Sequence, residues 1–182
     1  PCMSEISVTV GLDVRDKHLV TFRFNSGDYI HGFILGQSGS GKSVLLNNII
    51  TSAILKYSPQ DLMLYLMDFK SGTEFKIYDT YRLPHIKLLA LDAMQEFGES
   101  ILEDLVNEMV RRGTAFKNAG VTNLGEYRRS TGTAMPRILV IMDEFQVLFN
   151  DSGNRKVANN CAELTKKIVT EGRSFGIHLI MA

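Results

Sequence analysis

The hydrophobic positions of this chain follow two kinds of pattern. Apolar and polar residues alternate over 6–10 and 19–24, which predicts two half-buried strands. Turn-forming residues between them, among them Gly11 and Asp13, predict that these strands form an antiparallel pair. Four later segments are short and almost continuously apolar, which is typical of parallel strands that are covered on both faces. These segments are 30–35, 62–67, 138–142 and 177–181.

Three segments between the later strands have the spacing of amphipathic helices. The first begins at Ser43. The second is predicted to begin at Ser100, because Ser100 and Glu103 match a capping box. The third contains Val157 and is expected to end at Gly172. Strands that alternate with helices predict a three-layer α/β fold with a mostly parallel sheet and right-handed crossovers, preceded by the antiparallel pair.

Length and composition indicate one globular domain. A chain of 182 residues is long enough to bury a sizeable core, and its 45% hydrophobic and 22% charged content excludes a disordered segment. We assign 1–182 to a single domain, with the strand pair in 1–29 and the core in 30–182. The 20 basic and 20 acidic residues cancel, which argues against coating of nucleic acid by bulk charge. A local basic track remains compatible with this balance.

The two cysteines and the apolar runs bear on the environment of the chain. Cys2 and Cys161 lie at opposite ends, so neither a disulfide framework nor a zinc site is predicted, and a reducing compartment is expected. Cys161 falls on the apolar face of the third predicted helix, which favours a buried structural thiol. Neither a membrane-spanning run nor a signal peptide is visible. We expect a cytoplasmic segment without membrane contact, cut from a longer protein whether or not that protein is membrane-anchored.

The segment GQSGSGKS at 36–43 carries the strongest chemical signal. It matches the pattern G-x-x-x-x-G-K-[ST] in full and lies between an apolar strand and an amphipathic helix, so an incidental glycine-rich turn is disfavoured. Its glycines allow backbone N–H groups to point inward at the phosphates of a nucleotide. Lys42 is expected to reach the β- and γ-phosphates, and the Ser43 hydroxyl to ligate Mg²⁺. The predicted nucleotide-binding residues are Gly36, Gln37, Ser38, Gly39, Ser40, Gly41, Lys42, Ser43 and Val44.

Two adjacent carboxylates follow the apolar run 138–142. Because side chains alternate along a strand, Asp143 and Glu144 are expected to point in different directions and to take different roles. Asp143 is the candidate partner of Mg²⁺ through water. Glu144 is the candidate general base that activates the attacking water, and with Lys42 it forms the predicted catalytic set. Alone, such a run would more often be a strand that meets a solvated loop, but the phosphate loop in the same chain favours catalysis.

Several further segments occur in a specific order around these two motifs. They are VLLNNIITSAI after the phosphate loop, LYLMDFKSGTEF, the step Leu83-Pro84-His85, the segments 107–112 and 119–123, ILVIMDEF, and the ending 172–179. In this order, from about Gly11 onward, the sequence resembles the FtsK/SpoIIIE-type motor domains in the FtsK–HerA branch of P-loop ATPases.

The resemblance implies a RecA-like P-loop fold that hydrolyses ATP with Mg²⁺ in a homo-oligomeric ring, usually a hexamer. By position, Lys42 and Ser43 match the family's phosphate and metal contacts, and Asp143 and Glu144 match its metal partner and base. Such a ring also needs an arginine that acts on the neighbouring subunit's nucleotide. Its candidates are Arg111, Arg112 and Arg173, each of which has a solvated surface cation as the alternative.

The polymer that such a ring moves is left open by the sequence. The leading hypothesis is a translocase of double-stranded DNA. The alternative is the motor of a type VII-like protein secretion system, whose cargo is protein. A degenerate regulatory module is a third possibility, which the intact loop and the Asp143-Glu144 pair disfavour.

The resemblance also marks features whose role stays open. Relatives continue beyond the fourth core strand with a Ser/Thr-Gln pair and another strand. This further C-terminal strand is expected to be missing here, and the fragment is expected to be weakly active. The turn 68–70 stands where family members carry an Asp-x-Lys turn near the nucleotide, with a plain charged turn as the alternative. The cation pairs at 128–129 and 166–167 are either a phosphate-backbone track or, more commonly, solvated surface charges.

Overall fold

The computed structural model describes residues 4–25, 27, 29–37, 39–70, 72–91 and 94–182. An antiparallel pair is formed by β1 (Ile6–Leu12) and β2 (Leu19–Phe24). A separate parallel sheet has five strands in the order β3-β7-β6-β4-β5. These strands are β3 (Gly32–Phe33), β4 (Leu62–Asp68), β5 (Ile86–Ala90), β6 (Arg137–Asp143) and β7 (Ile177–Met181). The helices are α1 (Lys42–Lys56), α2 (Lys76–Tyr81), α3 (Gln95–Asn118), α4 (Leu124–Thr131) and α5 (Arg155–Phe175), with a 3₁₀ helix at Phe145–Phe149.

Strand β6 divides the core into two layers. All seven of its residues are buried. Leu139 and Ile141 pack with α1 and with the β1–β2 pair, whereas Val140 and Met142 pack with α3 and α5 on the other face. The near-continuous apolar sequence of β6 therefore reflects burial on both faces, as expected for a central parallel strand. The predicted three-layer α/β fold with a preceding antiparallel pair is confirmed.

The parallel register places the ends of β4 and β6 side by side. Met67 is opposite Met142, and Asp68 is opposite Asp143. The Phe69 amide also donates to the Asp143 carbonyl at 3.3 Å. Because parallel strands end at the same edge of the sheet, two buried carboxylates meet there. This carboxyl edge is where ligands bind in open α/β sheets.

Several predicted boundaries are wrong. The strand predicted at 30–35 pairs with β7 only at 32–33, and β5 was not predicted. Helix α3 begins at Gln95, and Ser100 lies inside it, where its hydroxyl donates to the Glu96 carbonyl, so the capping box is not formed. The strand predicted at 177–181, by contrast, is confirmed as β7, which lies between β3 and β6.

Helix α5 also ends later than predicted. It continues through Gly172 to Phe175, and Gly176 adopts the left-handed conformation that closes it. Gly172 serves close packing instead, because a Cβ atom there would lie 2.9 Å from the Ile177 carbonyl oxygen. The buried Cys161 thiol on this helix packs in the core, and burial and the charges of nearby glutamates raise its pKa to about 11. Across the described ranges, no helix combines the length and hydrophobicity needed to cross a membrane.

Two arginines for which a solvated surface cation was one of the two predicted alternatives are buried. Arg128 is 8% exposed, and its Nε donates to the Met135 carbonyl at 2.8 Å. Arg112 is 1% exposed, donates from Nε to Glu108 Oε1 at 2.7 Å, and donates from a terminal nitrogen to the Phe175 carbonyl at 2.7 Å. Both guanidinium groups therefore join elements of the fold. The sequence alone does not distinguish them from solvated neighbours such as Arg129, because an arginine on the buried face of a helix is the same residue type as one on its exposed face.

Replacing Arg112 with Ala is expected to lower the free energy of unfolding by about 2 kcal/mol, because the Phe175 carbonyl loses its donor and a cavity opens. Arg111→Ala is the matched control, since Arg111 pairs with the same Glu108 but its side chain is 62% exposed. An exposed pair contributes about 0–1 kcal/mol. Urea unfolding of both variants measures the difference, and equal losses would contradict a structural role for Arg112.

Candidate nucleotide-binding site

A cleft of about 510 Å³ lies at the carboxyl edge of the sheet. Among the residues that the sequence assigned to nucleotide binding, those that line it are Gly36, Gln37, Gly39, Gly41, Lys42, Ser43 and Val44. Asp143 and Glu144 line the same cleft. Ser40 closes a turn of the loop by donating its amide to the Gln37 carbonyl at 3.0 Å, and Ser38 lies outside the described residues. The fold thus brings together the two motifs, which lie about a hundred residues apart in the sequence.

The loop geometry depends on its glycines. Gly41 caps α1 with φ of 92°, a conformation that costs glycine little. Gly36 approaches Ser40 so closely that a Cβ atom would lie 2.3 Å from the Ser40 hydroxyl oxygen. The first turn of α1, all of it described, contains no acidic residue, so the positive end of the helix dipole is not offset there. The result is a cradle suited to an anion.

Lys42 projects from the start of α1 towards both acidic residues. Its Nζ lies 2.8 Å from Asp143 Oδ1 and 3.5 Å from Glu144 Oε1. Burial opposes the charge on Lys42, but the hydrogen bonds and charges of Asp143 and Glu144 outweigh it and raise the pKa of the lysine. Lys42 is therefore protonated at neutral pH, beside the anion cradle.

The two carboxylates diverge because the strand ends between them. Asp143 is the last residue of β6, and its side chain is 5% exposed. Glu144 has φ of 56°, which turns the chain out of the strand and leaves its side chain 20% exposed. The sequence predicted different directions from strand alternation, whereas the left-handed turn at Glu144 is what separates them.

Glu144 is an ionised carboxylate at neutral pH. Burial alone would raise its pKa, but hydrogen bonds from Gln146 and Lys70 and the charge of Lys42 lower it. A carboxylate in this state can accept a hydrogen bond from water and, during a reaction, its proton.

The turn after β4 also belongs to this cleft, since Asp68, Lys70 and Glu74 line it. The buried Asp68 carboxylate accepts the Lys70 amide at 3.0 Å and the Glu74 amide at 3.3 Å. The sequence left the role of this turn open. A signal was present, because Asp68 ends an apolar strand as Asp143 does.

The residues present fit the phosphates of a nucleotide and a magnesium ion. The glycine cradle, the helix N-terminus and the Lys42 ammonium favour phosphate. The Ser43 hydroxyl and the Asp143 carboxylate supply the oxygen donors that Mg²⁺ prefers, and Mg²⁺ commonly takes one or two carboxylates together with phosphate oxygens. Ser43 and Asp143 are therefore the residues that would hold the metal.

The three arginine candidates lie in different settings. Arg111 and Arg112 both pair with Glu108, and Arg112 is buried. Arg173 is exposed and donates from Nε to Asn25 Oδ1 at 3.2 Å. It precedes the start of β7 by four residues, at the edge of the sheet opposite the phosphate loop.

Comparisons with known proteins agree on one family. The model of the FtsK/SpoIIIE family matches residues 3–182. The ESX-5 secretion system protein EccC5 of Mycobacterium tuberculosis is 31% identical over 86% of this chain and 11% of its own length. The DNA translocase SftA of Bacillus subtilis is 30% identical over 98% of this chain and 18% of its own length.

A solved structure shares the whole fold. The cytoplasmic domain of the type VII secretion ATPase EccC of Thermomonospora curvata aligns with a TM-score of 0.81 and 26% identity, covering 100% of this chain and 21% of that one. The chain therefore spans about a fifth or less of the length of these relatives. With its phosphate loop and acidic strand end in one cleft, and with a family match over almost its whole length, this chain belongs to the FtsK/SpoIIIE family.

Proposed function

We propose that this chain is an ATP-binding and ATP-hydrolysing motor domain that works in a homo-oligomeric ring and moves double-stranded DNA. The observation that carries the ATPase proposal is the position of the Lys42 ammonium between the phosphate loop, Asp143 and Glu144. Family membership supports it, because the chain matches the FtsK/SpoIIIE model nearly end to end.

In this mechanism Lys42 leaves the two carboxylates and binds the β- and γ-phosphates, while the loop amides hold the remaining phosphate oxygens. Ser43 and Asp143 would hold Mg²⁺, which would neutralise charge on the phosphates. Glu144 orients a water molecule and accepts its proton. The water oxygen bonds to the γ-phosphorus, the bond to the β–γ bridging oxygen breaks, and ADP and inorganic phosphate result.

The ring proposal gives Arg173 a defined role. Arg173 lies at the sheet edge opposite its own phosphate loop, so within one chain it does not face that site. In a ring it would act on the nucleotide of the neighbouring subunit. Arg111 and Arg112 are less suitable, because Glu108 already pairs with both.

A secreted protein is the second candidate for the moved polymer. The similarity to EccC5 and to the EccC cytoplasmic domain, both named as secretion proteins, favours it. The similarity to SftA, named as a DNA translocase, favours DNA. With a net charge of zero, a ring that moves DNA would concentrate a few exposed cations of each subunit, such as Lys166 and Lys167, around the polymer.

ATP turnover of the longer protein that contains this chain tests the choice of polymer. If DNA is the polymer, we expect double-stranded DNA to stimulate turnover, and the stimulation to fall steeply between about 50 and 200 mM salt as phosphate contacts are screened. The variant Lys166→Ala/Lys167→Ala should reduce the salt dependence without changing turnover in the absence of DNA. Stimulation by a secreted polypeptide, with no effect of DNA, would support the second candidate and contradict the first.

A further inference from the structure

The Lys70 side chain shares a partner with Lys42. Lys70 Nζ lies 3.3 Å from Glu144 Oε1, and Lys42 Nζ lies 3.5 Å from the same oxygen. The separation of the two ammonium groups therefore cannot exceed the sum of these distances. Because the two cations converge on one carboxylate oxygen, an entering phosphate can take the place of that oxygen as their shared anion. A phosphate that binds Lys42 would lie within a short movement of Lys70.

The backbone of Lys70 is attached to both strands that carry the site. Its amide donates to Asp68 Oδ1 at 3.0 Å, and the Asp68 carboxylate is buried at the end of β4. Its neighbour Phe69 donates its amide to the Asp143 carbonyl at the end of β6. These bonds fix the position from which the lysine side chain reaches into the cleft.

The side chain of Lys70 is free to exchange its partner. It is 66% exposed, whereas that of Lys42 is 18% exposed. An ion pair this exposed contributes little to stability, so replacing Glu144 by another anion costs little. Lysine binds phosphate as a mobile point charge, which suits a group that moves when a ligand enters.

We propose that Lys70 contacts the terminal phosphate of a bound nucleoside triphosphate, leaving Glu144 when that phosphate enters and distinguishing ATP from ADP. Because Lys42 also moves to the phosphates, Glu144 then loses both lysine partners and turns to the attacking water. This inference rests on the proposed ATPase function and assigns a specificity-determining residue to the same site.

Calorimetric titration with ADP and with a non-hydrolysable ATP analogue, each with Mg²⁺, tests the inference. We expect Lys70→Ala to weaken binding of the analogue about tenfold, the loss of one charge-assisted hydrogen bond, and to change ADP binding less than about twofold. Lys70→Arg should retain most of the affinity for the analogue, since it keeps the cation. Lys76→Ala is the matched control, because Lys76 is also exposed but is not among the described residues that line the cleft.

Equal binding of the analogue by Lys70→Ala and by the unmodified chain would overturn the inference, as would an equal loss of affinity for both nucleotides. In both cases the unmodified chain still binds the analogue, so the proposed function stands. If the unmodified chain binds neither nucleotide, the proposed function fails and the inference fails with it.

Discussion

Glu144→Gln is expected to lower kcat for ATP hydrolysis by about 10²–10⁴-fold, the range associated with a positioned general base. The amide keeps the size of the side chain but cannot accept the proton of the attacking water. Turnover is measured at saturating ATP in the longer protein that contains this chain. The matched control is Glu74→Gln, the same substitution at another glutamate that lines the cleft, and it should leave kcat nearly unchanged.

Nucleotide binding should survive the same substitution. Glu144 carries a negative charge 3.5 Å from Lys42 and 3.3 Å from Lys70, and its removal leaves both cations to the phosphates. We therefore expect the affinity of Glu144→Gln for ATP to be equal to or tighter than that of the unmodified protein. Full turnover in Glu144→Gln would contradict the assignment of the base, and a loss of binding would indicate a folding role instead.

The central strands could be predicted because strands that are buried on both faces have nearly continuous apolar sequences. Strand β6 lies between two layers of the fold, so its positions 138–142 are all apolar until the chain reaches the carboxyl edge. Strand β3 shows the limit of this argument. Its apolar surroundings extend over 30–35, but Phe33 is 56% exposed and Leu35 is 78% exposed, because the described sheet ends at β3 on this side. Hydrophobicity alone does not say whether a neighbouring strand is present.

The helix ends were harder to predict because local patterns compete. Ser100 and Glu103 have the spacing of a capping box, yet they lie within a helix that has already begun at Gln95. Gly172 could end a helix, but tertiary packing uses it to bring α5 close to β7. In both cases, contacts between residues that are distant in sequence decide whether the local signal begins or ends the helix.

Some features of the candidate site could be predicted from the sequence, and others could not. The phosphate loop was predictable because its backbone demands glycine at fixed positions. The placement of Asp143 near the loop was predictable because it ends a buried apolar strand, and the carboxyl ends of parallel strands share one edge. The pairing of Lys70 with Glu144 was not predictable, because it depends on the register of β4 against β6 and on the Asp68 carboxylate that holds the turn.

Lys42→Ala is expected to weaken ATP binding by about a hundredfold or more. Each hydrogen bond to a charged group contributes about 1.5–3 kcal/mol, and Lys42 is the cation placed between the phosphate loop and the acidic strand end. Titration with the non-hydrolysable analogue measures the loss. Lys56→Ala, at the other end of the same helix, should leave the affinity unchanged.

The same variant also removes the ammonium 2.8 Å from the buried Asp143 carboxylate, so it should lower the stability of the nucleotide-free chain. The double variant Lys42→Ala/Asp143→Asn separates the two effects, because it removes the uncompensated charge as well. We expect urea unfolding of the double variant to recover most of the lost stability. Binding of the analogue without Mg²⁺, where Asp143 has no metal to hold, should remain weak. If the double variant bound the analogue as the unmodified chain does, Lys42 would be a partner of Asp143 in the fold and not the phosphate contact.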